Sequence, residues 1–470
     1  MPGKRELLNR GKDILLLGLM LALLAGCGGG SDDNDDAGNP NPPPAAPPDD
    51  SGNDGSGDDD DDSNNDDNND DDGTDDNDDP AFTNFQAASL VIGQQDFSGG
   101  EPHKGGAGPD AGSLNMPLGA AAFAESENVL FIADSANARV LGFNGTPDAN
   151  NINAAFVLGQ ADFTTTERVV AANSMYSPEA VTTTGGRLMV TDTDLNRVTV
   201  YEGVPTSGDE EPVLVVGQAS LDTRTGACDQ QTLVHPHAHF LTPDGKLLVA
   251  DAANNRVLVW NEMPQENGAP ADLVLGQSGF ENCSFQQNEN FRHPAALWSD
   301  GEQLIVADSE KHRILIWNTF PTESFQSPDV IIGQSGMTNV EPNDDDQDGA
   351  ADGEWEGTTG PDGVPHWTEN GDATARTLSY PRSLDVINGK LYVADMDNHR
   401  VLVWNHIPDA SFAPADVVIG QESFTNNEPN AGEAEPNERG FQRPVGVKVI
   451  GDQMLVTEWE NSRVLVFQAE

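Results

Sequence analysis

The sequence predicts an all-β fold, a closed propeller of six four-stranded blades carried behind a tether with no core of its own. Three observations lead there. A three-part signature recurs six times between residues 81 and 470. Each copy holds about four short β-rich runs bounded by Gly, Pro, Asn and Asp. The copies are also out of phase with the ends of the series, and a ring resolves that mismatch.

The first mark is an apolar run ending in Gly-Gln: Gly93-Gln94, Gly159-Gln160, Gly217-Gln218, Gly276-Gln277, Gly333-Gln334 and Gly420-Gln421. Such a pair ends a strand and lets the backbone turn, and the Gln amide is expected to reach the next blade. The second mark is an acid followed five residues later by Arg: Asp134/Arg139, Asp192/Arg197, Asp251/Arg256, Asp308/Arg313, Asp395/Arg400 and Glu458/Arg463. Six copies around a ring suit a hydrogen-bonded turn, because a catalytic site would break the symmetry. The third is a Pro upstream of each acid: Pro117, Pro178, Pro236, Pro294, Pro381 and Pro444. One aromatic position also recurs as Phe143, Tyr201, Trp260, Trp317, Trp404 and Phe467, which suits packing between blades.

The period of ~60 residues gives four strands per unit: one after the Pro, one ending at the acid, one starting at the Arg and one ending at Gly-Gln. The series opens with a Gly-Gln run and closes with Arg463–Phe467, so the last unit lacks its fourth strand. Pairing the first run with the last unit closes the ring and hides two sheet edges.

The segment Ala394–Trp404 resembles the NHL repeat, as do Ala307–Trp317 and Ala250–Trp260. The resemblance covers nearly all of 81–470 and implies a six-bladed NHL-type β-propeller. It implies no single activity: NHL propellers serve as protein-binding and RNA-binding modules, and related propellers hold metal in lyases and lactonases.

Charge narrows the choice. Of 470 residues, 79 are Asp or Glu and 23 are Lys or Arg, a formal charge of −56. Residues 1–30 sum to +2 and 31–80 to −21, which leaves −37 for 81–470. This argues against nucleic acid as a partner, since phosphate binding needs clustered Lys and Arg. It also argues against docking on anionic lipid through a basic patch.

The N-terminus reads as an address. Lys4, Arg5, Arg10 and Lys12 precede an apolar run from Ile14 to Ala25, too short to span a ~30 Å hydrocarbon core as a helix. Leu24-Ala25-Gly26-Cys27 resembles the bacterial lipobox, which implies cleavage after residue 26 and a lipid on Cys27. Gly28 rather than Asp follows, so an outer-membrane or cell-surface lipoprotein of a Gram-negative-type bacterium is expected. Residues 27–80 then form a lipidated Asp/Asn/Gly/Pro-rich linker, with nothing to bury and therefore expected to be disordered.

Function is sought where the copies differ. The residues before each Pro are Met116, Ser177, His235, His293, Tyr380 and Arg443, and His237 and His239 follow Pro236 on one face of their strand. Thus His235, His237, His239, His293, Tyr380 and Arg443 are the candidate ligand-binding residues at the channel mouth. Imidazoles bind metals and titrate near neutral pH, so a metal or acid–base site and a neutral polar lining both stay open.

The fifth Gly-Gln unit carries an acidic insertion at about 336–376. Within it Asp344, Asp346, Asp348 and Asp352 fall at the first, third, fifth and ninth positions of a sequence resembling a calcium loop, with Trp355 where the twelfth-position Glu would stand. Calcium is the one cofactor expected; a transition metal belongs only to the alternative below. Cys228 and Cys283 lie in consecutive connectors, and an exported chain can oxidise them to a disulfide; two free buried thiols are the alternative.

The expectation is a monomeric, membrane-anchored, non-enzymatic binding or scaffold module for a protein, glycan or small ligand. The alternative is a metal-dependent hydrolase or lyase with a His-containing site at the channel mouth.

Overall fold

The computed structural model describes residues 81–286, 290–347 and 373–470. The signal segment, Cys27 and the tether lie outside these residues. Strand β1 (Leu90–Ile92) comes first in the chain and belongs to the last blade. Blade 1 is β2 (Ala122–Ala124), β3 (Val129–Asp134), β4 (Arg139–Asn144) and β5 (Phe156–Leu158). Blade 2 is β6 (Pro178–Thr182), β7 (Met189–Asp192), β8 (Arg197–Val200) and β9 (Leu214–Val216). Blade 3 is β10 (Ala238–Leu241), β11 (Leu247–Asp251), β12 (Arg256–Trp260) and β13 (Leu273–Leu275). Blade 4 is β14 (Pro294–Trp298), β15 (Leu304–Asp308), β16 (Arg313–Trp317) and β17 (Val330–Ile332). Blade 5 is β18 (Pro381–Ile387), β19 (Lys390–Asp395), β20 (Arg400–Trp404) and β21 (Val417–Ile419). Blade 6 is β22 (Pro444–Ile450), β23 (Gln453–Glu458) and β24 (Arg463–Gln468), completed by β1. The chain is therefore a six-bladed, all-β propeller closed by its two ends. Leu90, Val91 and Ile92 face Val466, Leu465 and Val464. No helix among the described residues is long and apolar enough to cross a membrane.

The cores lie between blades, and this explains the sequence pattern. A strand sandwiched between two neighbours buries both faces, so it is apolar at every position rather than at alternate ones. In β20, Val401 and Val403 enter the core against blade 6, while Leu402 and Trp404 enter the core against blade 4. The recurrent aromatic residues face the preceding blade; Trp260, Trp317 and Trp404 donate their indole N–H to the carbonyls of Ala269, Gln326 and Ala413 at 3.0, 2.9 and 3.2 Å. The first strand of each blade is innermost and lies against its counterparts around the axis.

Candidate functional site

The repeated acid–Arg pairs form a buried hub in every blade. Each acid ends a second strand, a tight turn (3-10 in blades 1–5) and one left-handed residue follow, and the Arg opens the third strand directly opposite its acid. All six Arg side chains are fully buried. Arg139 Nε donates to Asp134 at 2.7 Å, Nη1 to the Phe163 carbonyl at 2.6 Å and Nη2 to the carbonyls of Asp110 and Ser113 at 2.9 and 3.0 Å. Asp134 accepts further from the Asn137 amide and the Asn115 backbone N–H, both at 2.8 Å. The hub thus ties a turn to the connectors before and after its blade. Blade 2 departs from this: Leu195 stands where most copies have Asn, and Arg197 reaches Asp192 only through Nη2 at 3.7 Å, leaving its Nε without a partner.

The Gln of each Gly-Gln pair does not bond to the next blade, contrary to expectation. Gln277 Nε2 donates to the carbonyls of Asn255, in its own blade, and Ser284, in its own connector, both at 2.7 Å. The preceding glycine has φ of +78 to +94° in all six copies, a conformation only glycine adopts freely, and this turns the Gln back on its own sheet.

Blade-to-blade contact falls instead to the left-handed residue of each turn. Asn196 and Asn255 accept from the backbone N–H of His235 and His293 at 2.9 and 3.1 Å. His312 and His399 accept through Nδ1 from Tyr380 and Arg443, both at 3.0 Å, and Ser462 accepts from Met116 at 3.2 Å. The five latched residues, each preceding a Pro, have φ between +45 and +58°. At the junction of blades 1 and 2 the left-handed residue is Ala138, which has no acceptor, and Ser177 stays out of this region.

Channel side chains come together where those strands begin. Glu179 of blade 2 and Arg382 of blade 5 reach across the axis, with Nη2 to Oε1 at 2.5 Å. Arg382 Nη1 also donates to His237 Nδ1, so His237 carries its proton on Nε2. Thr193 donates to the second Glu179 oxygen at 3.1 Å. The rings of His237 and His293 meet edge to face at 4.5 Å, and the Tyr380 hydroxyl lies 3.4 Å from His293 Nδ1. Burial raises the Glu179 carboxyl against the pull of Arg382. Burial, and then the Arg382 charge, hold His237 well below its ordinary range and His293 at about 3. Burial pushes Tyr380 to about 12.

Strand alternation puts His237 and His239 on one face of their strand, but the structure separates them. β10 begins only at Ala238. His235 sits in a left-handed turn, and His237 joins the cross-channel cluster. His239 is buried between blades 2 and 3, its ring nitrogens each 2.7 Å from the hydroxyls of Thr182 and Thr191. Arg443 stands at the mouth, 3.6 Å from Asp397 and 3.5 Å from Glu460, over the Trp459 ring. Sequence reasoning missed Glu179 and Arg382. The signal was available one place further on: after the six Pro stand Leu118, Glu179, His237, Ala295, Arg382 and Val445, and the three polar ones form the cluster.

Cys228 and Cys283 are joined in a disulfide, with Cα atoms 6.2 Å apart, tying the connectors that lead into blades 3 and 4. In the acidic insertion Asp344 is buried and Asp345 accepts from the Thr374 hydroxyl at 2.9 Å. Asp348 and Asp352 lie outside the described residues. Among the described residues no group of three or more His, Cys, Asp or Glu side chains is placed to hold a metal ion.

Five histidines held neutral by burial, His237 among them, give the fold an acid sensitivity. Burial lowers His239 and His293 to about 3 and His312 and His399 to about 4, from an ordinary 6.5. Between those values the unfolded chain binds protons that the native state refuses. Their stabilisation is complete above pH 6.5 and is lost as pH falls, at about 1.4 kcal/mol per pH unit per histidine. Asp397, raised by burial to about 6, works in the opposite sense, as do the carboxyls of Asp134, Glu179, Asp192, Asp251 and Asp395, which burial also raises. The histidines' share of the stability is therefore expected to fall between pH 7.5 and 5.5, and single-histidine variants isolate it from the carboxyls. His312→Asn, which restores the acceptor used in blades 2 and 3, should make the urea midpoint lose less between pH 7.5 and 5.5 than it does in the wild type; the same pH dependence in both proteins would refute the assignment.

No family model matches the chain, and no curated protein matches it. Among solved structures it is similar to the WD40 β-propeller domain of Doa1, at 10% identity and a TM-score of 0.41, over 83% of this chain and 95% of that one. It is also similar to the PQQ-bound aldose sugar dehydrogenase of Streptomyces coelicolor, at 13% identity and a TM-score of 0.40, over 77% of this chain and 96% of that one. Neither likeness bears on what this chain binds.

Proposed function

We propose that this chain is an envelope-anchored, NHL-type propeller that acts as a binding or scaffold module, held by a lipid on Cys27. It presents the channel mouth around His235, His293, Tyr380 and Arg443 to a protein or glycan ligand. The observation that carries the reading is the division of labour among residues. The residues that repeat are consumed in buried hubs, whereas His235, His293, Tyr380 and Arg443, which differ from copy to copy at one position, stand around one mouth of the channel. The His237 environment favours binding over metal chemistry. Its Nδ1 accepts from a guanidinium, so a metal at Nε2 would have to displace that ring's proton beside the Arg382 charge.

The test uses cell fractionation and site-directed crosslinking. The wild-type chain should partition with membranes, and Cys27→Ser should release it. A photo-crosslinker at Met116, exposed beside the mouth, should capture one discrete ligand, lost in Tyr380→Ala and Arg443→Ala variants of unchanged melting temperature. Membrane partition unchanged by Cys27→Ser would refute the anchor, and capture unaffected by the mouth variants would refute the site.

A further inference from the structure

The central channel holds a second feature, independent of the mouth reading. A cavity of about 280 Å³ runs along the axis, walled by the innermost strands of all six blades. One end is the cross-channel layer of Glu179, Arg382 and His237, where Glu179 and His237 are buried and the Arg382 side chain is 10% exposed. The strands run away from that layer toward the hairpin loops, and there Phe123, Phe240 and Trp298 are half-buried around the cavity. The cavity is thus closed toward the histidine mouth and accessible from the opposite face.

Its chemistry selects a ligand. The ionised groups on its wall are compensated: Glu179 by Arg382, and Asp385 by Lys448 at 2.9 Å. His237 and His239 are neutral. In a chain of net charge −56 this is a locally neutral site with both signs present. An anion would meet Glu179 and Asp385, and a cation would meet Arg382 and Lys448. Each innermost strand pairs on one side only, so its other edge carries further backbone N–H and C=O groups, some already engaged by side chains: Val447 and Val449 donate to Ser383 and Asp385 at 3.2 and 2.9 Å, and the Phe123 carbonyl accepts from Thr183 at 2.7 Å. Hydroxyl groups, which donate and accept, match such a mixed wall. Trp298 and Phe240 add flat apolar surface at the open end. The volume is near the lower bound of the ~300–1,000 Å³ typical of small-molecule pockets.

We propose that this cavity binds a neutral, sugar-sized polyol entering from the hairpin-loop face, its C–H face on Trp298 and its hydroxyls on the Arg382–Glu179 and Lys448–Asp385 pairs.

The test is calorimetric titration of the full chain with glucose, galactose and N-acetylglucosamine, and with glucuronate and glucosamine as charged counterparts. At least one neutral sugar should bind, at least tenfold more tightly than either charged one. Trp298→Ala and Lys448→Met should each weaken it at least tenfold, and Trp298→Phe, which keeps the packing, less. Arg292→Ala, on the opposite face, should leave it unchanged. The proposal is overturned if no neutral sugar binds, if a charged counterpart binds more tightly, or if Trp298→Phe and Lys448→Met, with unchanged melting temperatures, both titrate like the wild type. None of these outcomes touches ligand capture at the histidine mouth, so the two readings fail separately.

Discussion

Replacing Arg400 by Met should destabilise the propeller by about 3–5 kcal/mol, the cost of stranding a buried charge. Arg400 donates from Nε to Asp395 at 2.8 Å, from Nη1 to the Phe424 carbonyl at 2.5 Å and from Nη2 to the Thr377 carbonyl at 2.9 Å. Asp395 keeps only the Asn398 amide and the Ser379 N–H when the guanidinium is gone. Two connector carbonyls lose their donors as well, each an added penalty of about 1–3 kcal/mol where no water replaces the bond. The double variant Asp395→Leu, Arg400→Met should be less damaging than Arg400→Met alone, because it removes the orphaned charge together with its partner. Arg197→Met provides an internal comparison. Its pair is longer and its Nε is already unpartnered, so the loss should be smaller. Urea midpoints of the four proteins check this; a single Arg400→Met variant within about 1 kcal/mol of wild type would contradict the hub.

Deleting residues 81–95 should have the second large effect. This segment supplies β1, and each of its residues does a different job. Val91 enters the core between blades 5 and 6, and Ile92 the core between blades 6 and 1. Phe82 is buried beside Tyr392, with rings 6.2 Å apart. Gln94 clamps the carbonyls of Ser462 and Glu101, both at 3.0 Å. Val418 donates to Asn84 at 2.9 Å and Phe85 donates to Val418 at 3.0 Å, so the segment also holds the outer edge of blade 5. Full burial of each large apolar side chain contributes about 1.5–3 kcal/mol, and three are lost together. The deletion also bares the β24 edge, an open template for pairing with another chain. A melting temperature lower by at least ~10 °C and concentration-dependent aggregation are expected. An unchanged melting temperature would show that blade 6 does not need its fourth strand.

The sequence by itself determined the repeat, and with it the fold. Blade number and strand order follow from marks that lie within one unit, because an acid and an Arg five residues apart across a tight turn come together where the turn forms, and ring closure follows from the phase of those marks at the two ends of the series. Burial of both faces of every blade left continuous apolar runs such as Arg400–Trp404, which are legible without coordinates. The Cys228 and Cys283 positions were readable for the same reason, as equivalent connectors of adjacent blades. The channel was not. Glu179 and Arg382 are 203 residues apart and stand on opposite blades, so no periodicity relates them. His237 and His239 share a sequence face, yet a left-handed turn before Pro236 and a strand that starts only at Ala238 send them to two environments. Local hydrogen bonding repeats with the chain and leaves a pattern in it. Contacts across the axis depend on where six separate strands converge, and only the closed tertiary structure decides that.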